Sequence, residues 1–317
     1  MKKYILSFLF LLYSCFLTFS QLEVQMSQYM LNNAPFNPAF VGEGDLIQIS
    51  GQQRLLYVGI PDAGQTTVFG INAPVKFIDN SFGIGLNFLK DESGLFTQSN
   101  GKLQFSYKKK VNTALLSVGL DVGFASVGFL GSKVNLKQIN LGEYYKYMED
   151  NLIPKTDVVG MSMDLGLGLL YSTPLYYAGI SYLHFNKPHI VWETSELTLP
   201  GCFYLTGGYN YNLSDPKYVL KPSALLKSDF RSFQLDLSSR LEYDNKYWGG
   251  LSYRYQDALI FMAGINISGG LSIGYSYDFP ISKILKVSSG SHELFLNYSF
   301  EYLSGKRSTK YKSIRIL

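Results

Sequence analysis

The sequence predicts an all-β protein, a transmembrane antiparallel β-barrel of about 14 strands with an irregular N-terminal segment. Three observations carry that expectation. From about Leu46 to the C-terminus, apolar and polar residues alternate, as they do when successive side chains face opposite sides of a sheet. The composition is rich in interfacial and small residues, with 25 Tyr, 22 Phe and 30 Gly, while 16% of residues are charged; a wall shared between lipid and water has this make-up. After Phe19 no apolar stretch is long enough to cross a bilayer as a helix, so a crossing has to be made by a closed sheet.

Residues 1–20 read as an export signal: Lys2 and Lys3, an apolar run from Tyr4 through Phe19, then Ser20 before polar Gln21. Cys15 sits inside that run, which continues through Phe16, Leu17 and Phe19, so it reads as part of the signal rather than as an acylation site. Cleavage near Gln21 leaves Cys202 as the one cysteine, which excludes an internal disulfide. It also reduces 28 basic residues to 26 against 24 acidic ones, a nearly neutral chain with no nucleic-acid footprint.

Residues 21–45 contain Pro35, Asn37, Pro38, Gly42 and Gly44, too broken for a regular element. They are expected to form a periplasmic cap or a plug in the lumen. Residues 46–303 form the barrel. In Phe233 to Tyr243, one face carries Phe233, Leu235, Leu237, Leu241 and Tyr243, and the other Gln234, Asp236, Ser238, Arg240 and Glu242. Gly270 to Phe279 and Glu293 to Leu303 repeat the pattern, with aromatics at the ends of the apolar faces. Strands are expected near 46–57, 64–73, 82–90, 97–108, 113–127, 161–172 and 175–184. The second half continues near 203–212, 218–228, 232–243, 247–256, 258–267, 270–279 and 292–303. The longest connections, about 128–160 and 185–202, fall at one end of this barrel, and tight turns such as Ser172-Thr173-Pro174 and Ser268-Gly269-Gly270 fall at the other. Long loops outside and short turns in the periplasm are the usual sorting. Residues 304–317 form a basic periplasmic tail, with Lys306, Arg307, Lys310, Lys312 and Arg315 and no acid. Such a tail is either a solvated end or a contact for an acidic partner or lipid headgroups.

The inward face carries charges of both signs: Lys102, Asp121, Asp164, Asp236, Arg240, Glu242, Arg254 and Asp278. They could line an ion or substrate path; the simpler reading is a polar lumen in which they pair with one another and with water. His184, His189 and His292 show no metal-site spacing and no accompanying serine motif, so neither catalytic nor metal-ligating residues nor a cofactor are assigned. The inward glycines Gly83, Gly85, Gly119, Gly123, Gly166 and Gly168 precede no helix and form no phosphate cradle; they relieve crowding or let the sheet bend.

One set of motifs goes beyond pattern. Gln25-Met26-Ser27-Gln28-Tyr29-Met30-Leu31-Asn32, followed by Phe36-Asn37-Pro38-Ala39-Phe40-Val41-Gly42, resembles the N-terminal signature of the PorP/SprF family of type IX secretion system membrane proteins from Bacteroidetes. Further matches are Phe203-Tyr204-Leu205-Thr206-Gly207-Gly208-Tyr209, Leu220-Lys221-Pro222-Ser223 and Gly250-Leu251-Ser252-Tyr253-Arg254. Gly274-Tyr275-Ser276-Tyr277-Asp278 and Gly290-Ser291-His292-Glu293 complete the set. Two features depart from the family: Leu55, Leu56 and Tyr57 stand where a polar residue and Gln-Trp are common, and the connection from about 128 to 160 is enlarged. The resemblance implies a noncatalytic outer-membrane barrel working with periplasmic ring proteins and associated lipoproteins of that system. It further implies support for export or surface attachment of cargo proteins with C-terminal sorting domains, including gliding adhesins in some bacteria. It marks Tyr29, Met30, Asn32, Asn37, Pro38, Ala39 and Gly42 as a candidate partner-contact or plug segment. Asn and Pro fixing turns, with Tyr29 and Phe40 packed at the barrel mouth, would explain the same residues. The alternative function is a porin or a barrel for hydrophobic solutes.

Overall fold

The computed structural model describes residues 23–77, 80–134, 154, 156–192 and 195–301. The expected signal at 1–20 and the basic tail at 304–317 lie outside them. The first half of the wall comprises β1 (Ile47–Leu55), β2 (Gln65–Phe77), β3 (Asn80–Ser93), β4 (Phe96–Val111), β5 (Ala114–Leu130), β6 (Asp157–Ser172) and β7 (Tyr176–Leu183). The second half comprises β10 (Cys202–Tyr209), β12 (Tyr218–Ser228), β13 (Phe233–Tyr243), β14 (Tyr247–Arg254), β15 (Ala258–Ile267), β16 (Leu271–Pro280) and β17 (Ser291–Phe300). Between them lie a hairpin, β8 (His189–Trp192) with β9 (Ser195–Thr198), and the short β11 (Tyr211–Asn212).

Every wall strand pairs antiparallel with its neighbours, β17 returns to β1, and β10 pairs with β12, closing a 14-stranded barrel. Closure leaves no continuous sheet edge in lipid, where an unpaired backbone group would cost several kcal/mol, on the order of its full desolvation. Alternation in the sequence becomes alternation in burial. Along β13, Gln234, Asp236 and Ser238 are buried, while Phe233, Leu237, Leu241 and Tyr243 are exposed on the outer face. Aromatics gather at both rims: Tyr218 meets Tyr243 with ring centroids 4.8 Å apart at one end, and Phe233 stacks on Tyr255 at 5.9 Å at the other.

β1 begins at Ile47 opposite Phe300, the last residue of β17, so the strands start and finish at one end. At that turn end the connections other than 210–217, which holds β11, are tight, and Gly269 and Gly270, at φ +97° and +91°, form the bend before β16. The opposite, loop end carries the longer connections 56–64, 131–156, 184–201 and 281–290.

Two features differ from the sequence expectation. The sheet continues through Leu130 and resumes at Asp157, so the two ends of the expected 128–160 loop, 128–130 and 157–160, are strand; residues 135–153 and 155 of what remains lie outside the described set. The connection expected as a long loop at about 185–202 contains the β8 and β9 pair. Ile190 is fully buried against Ala125, Val127 and Leu199, and the Trp192 Nε1 donates to the Val127 carbonyl at 2.8 Å.

Candidate functional site: the filled lumen

Residues 23–45 run through the barrel from the loop end to the turn end. Near the loop end, Lys227 Nζ donates to the Glu23 and Val24 carbonyls at 3.0 and 3.4 Å. Ser27 is fully buried in a polar knot. Its N–H donates to Glu293 Oε2 at 2.6 Å and its hydroxyl to Asp278 Oδ2 at 2.6 Å. Arg54 and Arg254 each donate to the Ser27 hydroxyl at 3.1 Å and pair with Asp278 at 2.8 Å; Arg254 also holds Asp236 at 3.2 Å. Burying this many charges is tolerable because nearly every one faces an opposite charge and a hydrogen-bond partner.

Lower down, short 3-10 turns at Tyr29–Leu31 and Pro38–Phe40 fold the segment against the wall. All the residues singled out from the sequence turn toward the barrel. Tyr29 is fully buried, its hydroxyl 3.2 Å from Ser223 Oγ, and burial pushes its phenol well above the ordinary value. Met30 packs against the cluster of Trp248, Ile260 and Met262, and Asn32 donates to Gln52 Oε1 at 3.0 Å. Asn37 caps the second turn by accepting from the Ala39 N–H at 2.9 Å, and its amide donates to the Leu169 and Ile180 carbonyls at 3.1 and 3.3 Å. Pro38 and Ala39 are buried, and Lys108 donates to the Ala39 carbonyl at 3.2 Å. Gly42, at φ +66°, sits where a Cβ would come within 2.7 Å of the Gly83 Cα, and its N–H donates to Asn72 Oδ1 at 3.1 Å.

Wall glycines provide the seat. A Cβ on Gly83 would lie 1.9 Å from the Val41 carbonyl oxygen, one on Gly119 2.2 Å from the Ala39 nitrogen, and one on Gly168 2.0 Å from Asn37 Oδ1. The sequence signal was present in these inward glycines, but sequence alone could not say that a chain lies against them.

Each lumenal charge singled out from the sequence is buried or largely so, and each has an opposite charge nearby. Lys102 stands 3.6 Å from Asp121 and 3.0 Å from Asp164; Arg240 and Lys221 flank Glu242 at 3.8 and 3.0 Å; Asp236, Arg254 and Asp278 belong to the Ser27 knot. Other participants were not singled out: Arg54, Glu293, Lys221 and Lys227, and the pair of His184 with Glu23. Just beyond β7, His184 lies 2.8 Å from Asp164 through Nδ1 and 3.3 Å from Glu23 through Nε2. Burial opposes its protonation, but the Glu23 charge and the hydrogen bond to Asp164 push its pKa up to about 9. Burial raises the Glu23 carboxyl in turn, and the charge and hydrogen bond of His184 outweigh that and hold it below its ordinary value. Around this pair Lys102, His184 and Lys227 stand among Asp121, Asp164 and Glu23, three basic side chains to three acidic ones. A small, partly open cavity of about 30 Å³ beside this cluster is lined by Glu23, His184, Cys202, Lys227 and Phe233. No group of carboxylates, histidines and cysteines suited to a metal ion occurs among the described residues.

A closed antiparallel barrel with an apolar outer face, aromatic rims and its own chain filling the lumen is an outer-membrane barrel protein. Residues 18–298 match the family described as type IX secretion system membrane protein PorP/SprF, and the chain belongs to that family. It is accordingly an outer-membrane component of type IX secretion. No curated protein is similar enough in sequence to match it. Among solved structures it is similar to the CymD monoaromatic hydrocarbon channel, at 15% identity and a TM-score of 0.52, covering 87% of this chain and 93% of that one. It is also similar to the toluene transporter TodX of P. putida (12% identity, TM-score 0.47, 84% and 92% covered). Omp33 of Acinetobacter baumannii is a third (9%, TM-score 0.45, 82% and 100% covered). At such identities the likeness extends to the fold alone.

Proposed function

We propose that this protein is a noncatalytic scaffold of the type IX system, supporting export or surface attachment of specific cargo proteins that carry C-terminal sorting domains. The observation that carries this reading is the lumen filled by residues 23–45: a barrel whose bore is tied to its own chain by buried hydrogen bonds, from Ser27 to Glu293, Asp278, Arg54 and Arg254 among them, suits holding and docking better than conducting. In this reading the loop end faces outward toward cargo. The turn end and the basic tail at 304–317 face periplasmic ring proteins and lipoproteins, and an export signal at 1–20 delivers the chain to the outer membrane. Tyr29, Met30, Asn32, Asn37, Pro38, Ala39 and Gly42 serve as the plug that makes the barrel rigid. Deleting the gene should abolish surface display of particular cargo while small-solute uptake stays unchanged; normal display in the deletion strain would overturn the reading.

A second reading, a barrel for hydrophobic solutes, draws on the small cavity near the loop end and on the fold shared with a monoaromatic hydrocarbon channel. Uptake of a radiolabelled aromatic hydrocarbon into proteoliposomes would favour it, and uptake equal to that of empty liposomes would exclude it.

A further inference from the structure

The barrel wall is taller on one side. β6 runs from Asp157 to Ser172 and is paired with β5 along its whole length, but with β7 only from Leu167 to Ser172. Just above, the 184–201 connection covers a little more of its edge: Phe185 N–H donates to the Leu165 carbonyl at 3.0 Å, Leu165 N–H to Asn186 Oδ1 at 3.0 Å, and Asn186 Nδ2 to the Met163 carbonyl at 2.7 Å. These bonds show that the odd-numbered residues of β6 aim their backbone groups away from β5. Beyond Met163, the N–H and C=O of Met161 and Val159 have no hydrogen-bonded partner among the described residues. The hairpin of β8 and β9 forms a separate sheet and lies against the inner face at Gly160, so it does not extend this edge.

Lipid is a poor occupant for this edge, for two reasons. Acyl chains offer no hydrogen bonds, so free backbone groups in hydrocarbon are disfavoured. The edge also stands above the apolar band: in register with Met161 are Ser126, Ser99 and Lys90, and in register with Val159 are Gly128, Thr97 and Glu92. Strand tilt raises β6 further, because registers climb toward the loop end in this direction round the wall. The one crossing β6 at Leu167 passes through Tyr182, Phe203 and Ser228 to Phe233, the loop-end residue of β13. Yet at this polar height β6 presents Val159 at 71% and Met161 at 64% exposure, among the most exposed apolar side chains of the wall. From Val158 to Met163 the edge carries no charge, proline or lysine, the devices that normally blunt a free strand.

We infer that the upper edge of β6, Val159 to Met163, is a strand-addition site for an extended segment of a secreted polypeptide outside the cell. The incoming strand takes up the backbone groups of Val159 and Met161 and covers their side chains with apolar residues at alternate positions. The inference rests on the secretion reading above and names the surface by which cargo is held.

The test uses a deletion strain complemented with the full chain, and as probe a fluorescent protein fused to the sorting domain of the strain's own surface cargo. Met161→Pro removes the free donor without touching the β5 ladder and should lower surface-held probe at least tenfold, releasing it to the medium. The double variant Val159→Lys/Met161→Lys, on exposed positions, should do the same, and it decides the matter if the proline variant loses the heat-modifiable gel mobility of a folded barrel. A photo-crosslinking residue at 161 should couple to the probe. Coupling only within its own chain or to lipid, or wild-type display by folded variants, overturns the strand-addition site alone. Normal display in the uncomplemented deletion strain would instead bring down the secretion reading.

Discussion

Replacing Asn37 by alanine tests whether the plug is held by specific bonds rather than by crowding. Asn37 is fully buried and its side chain makes hydrogen bonds to Ala39, Leu169 and Ile180. Each of the two donated bonds contributes about 1 kcal/mol net, and the stranded Ala39 N–H adds about 1–3 kcal/mol more, for about 3–5 kcal/mol in all. At about 1.4 kcal/mol per tenfold, local opening of residues 37–42 becomes roughly 100-fold to several-thousand-fold more frequent. Hydrogen–deuterium exchange on the detergent-solubilised protein reads this directly. Amides of Ala39 to Gly42 should lose most of their protection in Asn37→Ala, while those of the β13 and β14 ladder keep theirs. Equal protection in variant and wild type would refute the idea that Asn37 pins the plug.

Other perturbations address other parts of the lumen. Gly119→Val places atoms where the Ala39 backbone now lies, so it should displace the lower plug and give ion conductance in planar bilayers that the unaltered protein lacks. Arg254→Met leaves Asp236 and Asp278 short of their shared cation and should cost about 3–5 kcal/mol, seen as a lower temperature for loss of the folded gel form. His184 is protonated with a folded pKa of about 9 against an ordinary 6.5. Its stabilising contribution is therefore complete below the ordinary value and lost as pH rises through about 9. The groups that face it are Asp164, Glu23 and Lys102, with Asp121 and Lys227 beyond them. Exchange of the Val24 to Met26 amides, corrected for the intrinsic rate, should quicken across it, and His184→Gln should flatten the dependence.

The wall was legible because lipid and water impose a two-residue period that leaves its mark on every strand; the alternation of Phe233 to Tyr243 locates β13 within a residue. The upper ends of β5 and β6 were not, because Gly128 leaves a gap in the outer face and the inner face there, Val127, Val158 and Gly160, is buried and apolar, so the two-residue period is lost. The hairpin at His189–Trp192 is too short for periodicity to separate it from a loop. Breakers at Pro35, Asn37, Pro38, Gly42 and Gly44 identified an irregular segment, but its path depends on contacts far apart in sequence, such as Ser27 with Asp278 and Glu293. The same holds for His184: its partners Asp164 and Glu23 meet only once the barrel has closed and the plug has entered.

The claim on which everything else stands is that the chain blocks its own bore. Single-channel recording of the purified, full-length protein in planar bilayers tests it most directly. Traces should stay at the level of bare membrane for the wild type; stable ohmic openings from the unaltered protein would contradict a plugged scaffold.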